Sequence, residues 1–452
     1  MSEELSPDAQ PAAVAVSEAT DFSRLIKDNF KPKSDDMEKD IEAGIQVLVD
    51  RALEDQALIS EESRETIEKY ISKLDQLLTE QINLILHHEE FQKLEGAWRG
   101  LHYLVNNTAT DETLKIRVMN ISKKDLGKTL KKFKGARWDK SPIFKRFYEE
   151  EYGTPNGEPF GAIVGDYEFD NRPQDVELLG EMAQIAAAAH APFLSAASPT
   201  LMNMDSWREL SNPDQLKPLL ETPAHAAYQS LRNSDDSKYL GLTMPRTLAR
   251  LPYGANTEPV DEFAFEEDTG AADHAKYCWQ NSAYALAVNI NRSFKDYGWC
   301  SRIRGPESGG MVDSLPVHTF TTADGKTDMK CPTEIAIPDR REKELSDCGL
   351  IPLCHWKNTD YGVFIGAQSV NEPTEYADPD ATASAQLSAR LPYLFATCRF
   401  AHYLKCIVRD KIGSFASRDD MQKFLNDWIM KYVSGNPGAG EIEKAKKPLA
   451  KA

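Results

Sequence analysis

Phe160-Gly-Ala-Ile-Val-Gly165, then Asp175-Val-Glu-Leu-Leu-Gly-Glu-Met-Ala183 running on to His190, then Ala191-Pro-Phe-Leu-Ser-Ala-Ala197: these stretches read as strand, helix and strand. The first and third are short apolar runs of the kind found in buried strands. Between them Val176, Leu179, Met182, Ile185 and Ala189 line one side of a helix predicted over 175–190. The run Ala186 to Ala189 lets that helix lie close to its sheet. A strand–helix–strand succession implies a parallel pair joined by a right-handed crossover. The fold class predicted is therefore α/β, a mixed-sheet core built around a βαβ unit.

Upstream, Leu114, Ile116 and Val118 alternate with Lys115, Arg117 and Met119, which predicts a half-buried strand. Before it comes a helical arm. Ile41, Ile45, Leu48 and Ala52 mark a helix over 36–55. Ile67, Tyr70, Ile71, Leu74, Leu77, Leu78, Ile82 and Ile85 mark a longer one, and Phe91, Leu94, Trp98, Leu101 and Val105 continue its spacing. That stripe must cover either the chain's own core or a partner. Residues 1–20 have a disordered composition. They precede a short helical candidate, Asp21 to Phe30, whose Phe22, Leu25 and Ile26 share a face; it reads equally as a docking peptide or as a helix packed onto the body.

Downstream, a helix is predicted over 273–297, stopped by Gly298, and a loop-rich region over 299–377 with short strands such as 362–366. A long helix follows over 381–412, then a last one capped by Ser417 with Asp420 and running to Tyr432. The domain order expected is a flexible N-terminus (1–35), a helical arm (36–113), an α/β core (114–377), long C-terminal helices (378–433) and a flexible exit (434–452).

The chain has 452 residues, 41% hydrophobic and 27% charged, enough for a large core without metal or disulfide staples. Its formal charge is −18, which argues against nucleic acid or anionic membrane as a partner. That charge is uneven. Residues 1–113 hold 11 Lys/Arg and 25 Asp/Glu, whereas residues 114–147 hold 12 Lys/Arg and 2 Asp/Glu. The basic island reads as a solvated face or as one half of a complementary contact between copies. No secretory-signal pattern opens the sequence, no stretch approaches the ~20 apolar residues of a membrane span, and seven cysteines without a CxxC read as reduced thiols. A cytoplasmic protein is expected.

Catalytic motifs fail on inspection. Arg304-Gly-Pro-Glu-Ser-Gly-Gly-Met311 has the glycines of a phosphate loop, but Met stands where the Lys is needed. The stretch 160–166 leads into Asp166, Glu168 and Asp170, which would repel a pyrophosphate. His87-His-Glu-Glu90 lacks the second zinc-helix histidine, because Gln92 occupies that place. Cys331, Cys348, Cys354 and His355 lack paired two-residue spacing for zinc. No cofactor, metal or catalytic residue is expected. The competing reading is an α/β enzyme with an acidic metal or phosphate site near Asp166–Asp170 or Gly305–Gly310.

The three stretches quoted first are followed by Leu251-Pro-Tyr-Gly254, Asn289-Ile-Asn-Arg-Ser-Phe294, Ile303-Arg-Gly-Pro-Glu-Ser-Gly-Gly310 and Leu315-Pro-Val-His-Thr-Phe320. Then come Glu334-Ile-Ala-Ile-Pro-Asp-Arg-Arg-Glu342, Gly349-Leu-Ile-Pro-Leu353 and Ser388-Ala-Arg-Leu-Pro-Tyr-Leu394. In this order the chain resembles the large sheath subunit of type VI secretion, the TssC/VipB family, from about residue 21 to about 450. The resemblance implies a contractile tail sheath-like fold and a structural role. It implies pairing with a small sheath subunit (TssB/VipA-like) and polymerisation with other sheath protomers around an Hcp-like inner tube on a baseplate. Contraction of the sheath then drives the tube outward. It further implies that Phe22, Leu25, Ile26 and Phe30 sit where a ClpV-type disassembly ATPase engages the family. Ile67, Ile71, Leu74, Leu78, Ile82 and Ile85 are the expected small-subunit contact, with packing on the chain's own core as the alternative. The family's C-terminal strands, shared between protomers, are expected to be missing after Ala452, so this chain is expected to pair but to polymerise poorly.

Overall fold

The structure is a computed structural model that describes residues 63–452 apart from 271–272, 323, 415–417, 436–437, 439 and 451–452, plus scattered helical positions between 37 and 47. Phe22, Leu25, Ile26, Phe30 and Ser417, and most of the helix expected over 36–55, lie outside the described residues. The chain divides into two compact units, Met1–Leu84 with Pro259–Glu266, and Ile85–Glu258 with Glu267–Ala452.

The arm's long periodic stretch forms two helices, α1 (Ser63–Leu86) and α2 (Glu89–Asn106). Helix α3 (Lys123–Lys131) opens where the Ser122 hydroxyl accepts from the Asp125 N–H at 3.1 Å. The strand expected over 114–119 does not form. Leu114 and Ile116 are half-buried and Lys115 and Arg117 exposed, as the alternation predicted, but Val118 is 66% exposed against it, and the segment joins no ladder. Ion pairs from Lys115 and Arg117 to Glu158 and Glu151 tie it down instead.

The βαβ unit is present: β1 (Ile163–Phe169), α4 (Pro173–Ala189) and β2 (Phe193–Ala197), with β1 parallel to β2. His190 ends α4 in the left-handed region at φ 52°, where the chain turns back toward the sheet. After short helical turns, β3 (Leu240–Met244) joins parallel to β2. Strands β4 (Thr247–Leu248) and β5 (Trp279–Gln280) form a separate pair.

Helix α5 (Ala283–Tyr297) occupies only the second half of the helix expected over 273–297. The first half is drawn out to pair β5 with β4, and the Asn281 side chain accepts from the Ala283 N–H at 2.8 Å to start the helix later. Gly298, at φ 77°, stops it as expected.

Next come β6 (Met311–Val312), the hairpin β7 (Thr319–Thr321) and β8 (Thr327–Met329), α6 (Asp339–Asp347), β9 (Leu350–His355) and β10 (Gly362–Phe364). The main sheet runs β1-β2-β3-β9-β10-β6. Its first four strands are parallel, and β10 and β6 close the edge antiparallel, so the sheet is mixed.

The helix expected over 381–412 is broken into α7 (Pro379–Ser388) and α8 (Leu391–Lys411). Pro392 has no N–H and is tolerated only in a first turn, so the second helix must start beside it. Helix α9 (Arg418–Ile429) follows. The stretch after Val433, expected as an exit, turns back through α10 (Glu441–Lys446): Ala445 is buried, and the Ser434 N–H donates to the Leu449 carbonyl at 2.8 Å.

A separate core lies on each face of the sheet. Successive strand residues point to opposite faces. Phe193, Leu242 and Leu350 pack with α4 and the 201–231 helical turns, while Leu194, Ile351 and Leu353 pack with α5 and the start of α8. Burial on both faces explains why β2, β3 and β9 read as continuous apolar runs. Gly241 in β3 is required on the second face. A Cβ there would sit 2.7 Å from Leu194 and 3.1 Å from both Ile351 and Leu391.

Candidate assembly surfaces

Helix α2 leaves Phe91, Leu94, Trp98 and Val105 of its apolar stripe exposed, while Leu101 of the same stripe packs against the cluster of Leu104, Tyr284 and Val288. Its buried residues are Gly96, Gly100 and Leu104. A Cβ on Gly96 would stand 2.3 Å from the Trp279 carbonyl oxygen, and one on Gly100 would stand 2.4 Å from the Tyr284 ring. The backbone of α2 therefore rests directly on β5 and α5. Phe91, Leu94, Trp98 and Val105 lie away from that contact; Trp98 is 66% exposed and Leu94 57%. Their spacing of three, four and seven residues puts them along one stripe of the helix.

A buried ion-pair network fixes this presentation. Glu95 accepts from Arg250 Nε and Arg99 Nε, each at 2.7 Å. Arg250 reaches on to Glu267, with Nη1 2.5 Å from Oε2. Burial works against the Glu95 charge, but the Arg250 and Arg99 guanidiniums outweigh it and hold the carboxyl below its usual range.

On α1, Ile71, Leu74, Leu78 and Ile85 are exposed and Ile82 is half-buried, while the side chain of Ile67 is outside the described residues. Leu77 and Leu84 are exposed as well, whereas Tyr70 is buried. The Ile71 to Ile85 stripe is thus largely uncovered by the described residues.

Half of the basic island is spent internally. Lys115, Arg117, Lys123, Lys128, Lys134 and Arg146 pair with carboxylates of the same region or of α4, for example Lys123 with Asp175 at 2.5 Å. Lys124, Lys131, Lys132, Arg137, Lys140 and Lys145 are exposed and form no ion pair among the described residues.

The acidic and glycine-rich stretches of the enzyme reading are occupied by the fold. Asp170 accepts from the Arg172 N–H at 2.8 Å and Nε at 2.5 Å; these contacts outweigh its burial and keep it below the usual carboxylate range. Asp166 hydrogen-bonds Asn281 and Tyr284, and its burial raises it. In the 305–310 turn, the Gly305 N–H donates to the Phe364 carbonyl at 2.7 Å and the Gly310 N–H to the Gly305 carbonyl at 2.9 Å. Amides committed in this way cannot cradle a phosphate. The zinc set fails for a geometric reason. Cys354 and His355 are neighbours on β9 and face opposite ways, and Cys348 and Cys354 belong to the apolar core. Among the described residues no group of three or more His, Cys, Asp or Glu is placed to hold a metal, and no helix is long and apolar enough to cross a membrane.

Two family models cover most of the sequence. The EvpB/VC_A0108 tail sheath N-terminal domain matches residues 68–371, and the EvpB/VC_A0108 tail sheath gpW/gp25-like domain matches residues 380–452. The chain belongs to the VipB tail sheath family. It is also 64% identical over 436 residues to the type VI secretion system sheath protein TssC1 of Pseudomonas aeruginosa, covering 96% of this chain and 88% of that protein. The chain is therefore a structural sheath subunit of the type VI kind, and the enzyme reading has no support. The VipB family assignment agrees with an α/β molecule that spends its acidic loops on its own fold and its apolar helix seam on the outside. Sequence periodicity located that seam on α2 but not its direction; Gly96 and Gly100, four residues apart, were the overlooked sign of the buried side.

Proposed function

We propose that this sheath subunit pairs with a small sheath subunit through the exposed seams of α1 and α2. Pairs then polymerise in the cytoplasm around an Hcp-like inner tube on a baseplate, and sheath contraction propels the tube. The observation that carries this reading is the 64% identity to TssC1 over 96% of the chain. The residues assigned to the small subunit are Ile67, Ile71, Leu74, Leu78, Ile82 and Ile85 on α1, with Phe91, Leu94, Trp98 and Val105 on α2. The exposure of a large aromatic in an apolar row supports this, because soluble surfaces rarely keep such rows uncovered. Phe22, Leu25, Ile26 and Phe30 are assigned to a ClpV-type disassembly ATPase, on the family resemblance alone. The work of contraction comes from a conformational free-energy difference stored in each subunit and released in many together.

The test is co-expression with the small subunit. A stable co-purifying pair is expected. The double variant Leu94→Ser, Trp98→Ser should lose pairing at least tenfold while the isolated chain melts as before, because neither side chain packs in its core. Undiminished pairing would remove α2 from the interface, and failure of the unaltered chain to pair at all would remove the reading itself.

A further inference from the structure

The last carbonyls of a helix find no partner within it. In α4 the Ala186 carbonyl accepts from the Ala191 N–H at 3.0 Å and the Ala187 carbonyl from the His190 N–H at 3.2 Å. The Ala189 carbonyl is met from α8 instead, by His402 Nε2 at 2.8 Å. His402 is 2% exposed, and that bond fixes its neutral tautomer. Nε2 carries the hydrogen, and Nδ1 is a buried lone pair with no hydrogen-bond partner among the described residues. The joint ties the two family matches together, since α4 falls within 68–371 and α8 within 380–452.

The surroundings are rich in cations. The Tyr152 ring packs edge-on to His402 and His190, with centroids 4.9 and 5.9 Å away, and the two histidine rings are 6.1 Å apart. Lys405 Nζ stands 3.7 Å from the Tyr152 ring centre and donates to the Tyr148 hydroxyl at 3.1 Å. Arg399 and Arg409 also lie on α8, where Arg409 donates to the Thr154 carbonyl at 2.8 Å, and Cys398 and Cys406 stand one turn either side of His402. The 235–239 turn brings Tyr239, 6.4 Å from the His190 ring, and carries Asp236. Among the described residues neither histidine nor Lys405 forms an ion pair with a carboxylate. A helix C-terminus ordinarily favours a protonated histidine. Here burial opposes the charge most; the Ala189 bond works the other way, but Arg399, His190 and Lys405 side with burial, and His402 is lowered to about 4. Burial and then Lys405 lower His190 as well.

We propose that His402 and His190 form an acid-sensitive latch between α4 and α8, closed while both rings are neutral and opened by their protonation. A proton enters the His402 ring only at Nδ1. It creates there a buried donor with no acceptor, and a further positive charge near Lys405 and Arg399. Withdrawal of the ring to water removes that cost and leaves the Ala189 carbonyl uncapped, so α8 parts from the end of α4. A histidine lowered on folding contributes its full stability above its unfolded value near 6.5 and loses it as pH falls toward 4. Glu334 begins to lose its contribution only below 4.5, so the latch acts in a range where that carboxylate stays ionised.

The experiment follows backbone hydrogen exchange of the full chain by mass spectrometry at pH 7.5, 6 and 5, with each rate divided by the intrinsic rate at that pH. Opening at residues 398–406 of α8 and at the last turn of α4 is expected to rise about 30-fold from pH 7.5 to 5, while β2 and β3 keep their protection. His402→Gln keeps an amide donor for the Ala189 carbonyl and does not titrate, so it should flatten most of that rise. Adding His190→Asn, a residue that accepts the left-handed conformation of position 190, should abolish the remainder. No rise in the unaltered chain, a rise that β2 and β3 share equally, or the same rise in His402→Gln would overturn the proposal. If the variants do not fold, the unaltered chain decides: a histidine latch starts to open below pH 6.5 and gains about tenfold per unit, whereas loosening driven by carboxylates starts only below about 4.5.

Discussion

Glu334 is buried with both carboxylate oxygens engaged. Oε1 accepts from Arg246 Nη2 at 2.6 Å and stands 3.3 Å from His274 Nε2, and Oε2 accepts from the Arg246 backbone N–H at 2.8 Å. Burial opposes its charge, but the His274 and Arg246 contacts win and lower the carboxyl to about 2. A carboxyl lowered on folding stabilises the protein in full above its unfolded value near 4.5 and loses that contribution as pH falls toward 2. The difference is worth about 3 kcal/mol. Glu334→Gln should therefore lower the unfolding free energy by about 3 kcal/mol at pH 7, and the gap should narrow below pH 4.5. Denaturant titration of both chains across that range measures it, and a pH-independent gap would contradict the linkage.

Helix α2 has a tight face and an open face, and substitutions on the two should behave oppositely. Alanine is a better helix former than glycine by about 1 kcal/mol. At Gly96 the added methyl would meet a backbone oxygen, which cannot swing aside, so Gly96→Ala should cost a net ~1–3 kcal/mol. At Gly100 the obstacle is the Tyr284 ring, a side chain able to shift, so Gly100→Ala should cost less. Thermal melts of the two variants give the order, and an equal or inverted cost would mean that α2 does not press on β5 as described. The broken helices teach the same lesson. The 273–297 stretch is periodic enough to be one helix, yet β4 recruits Trp279 and Gln280 as a strand. The 381–412 stretch breaks where Pro392 forces a fresh start.

At the scale of the molecule the dominant facts are a −18 charge and an island in which six cations form no ion pair among the described residues. Two unlike complementary patches on one subunit favour head-to-tail contacts, the kind that build open helical polymers. If the island meets acidic surface on neighbouring protomers, assembly of the large–small pair should weaken steeply between about 0.05 and 0.5 M salt, over which the Debye length falls to a few ångströms. Sedimentation across that range checks it. Replacing Lys131, Lys132, Arg137 and Lys140 by Gln should flatten the salt response while pairing with the small subunit stays intact. Salt-insensitive assembly would assign the island to solvent.

Much of this was legible in the residues. Apolar period and length marked the βαβ unit and the helical character of 63–106, 379–411 and 418–429, because those patterns are local, but not the breaks at 87–88 and 389–390. The ordered series of motifs from Phe160 to Leu394 marked the sheath family. Three matters depended on residues distant in sequence. The 114–119 segment alternates like a strand but has no ladder partner, since pairing needs a neighbouring backbone that sequence spacing does not supply. Five cations of the basic island are neutralised by carboxylates on α4 and the 149–158 stretch, contacts that charge counting cannot see. The outward turn of the α2 seam follows from where Trp279 and Tyr284 stand, and those are set by a strand and a helix some 180 residues later. Local periodicity states that a face is apolar; the elements packed on the opposite face determine whether it is turned inward or left for a partner.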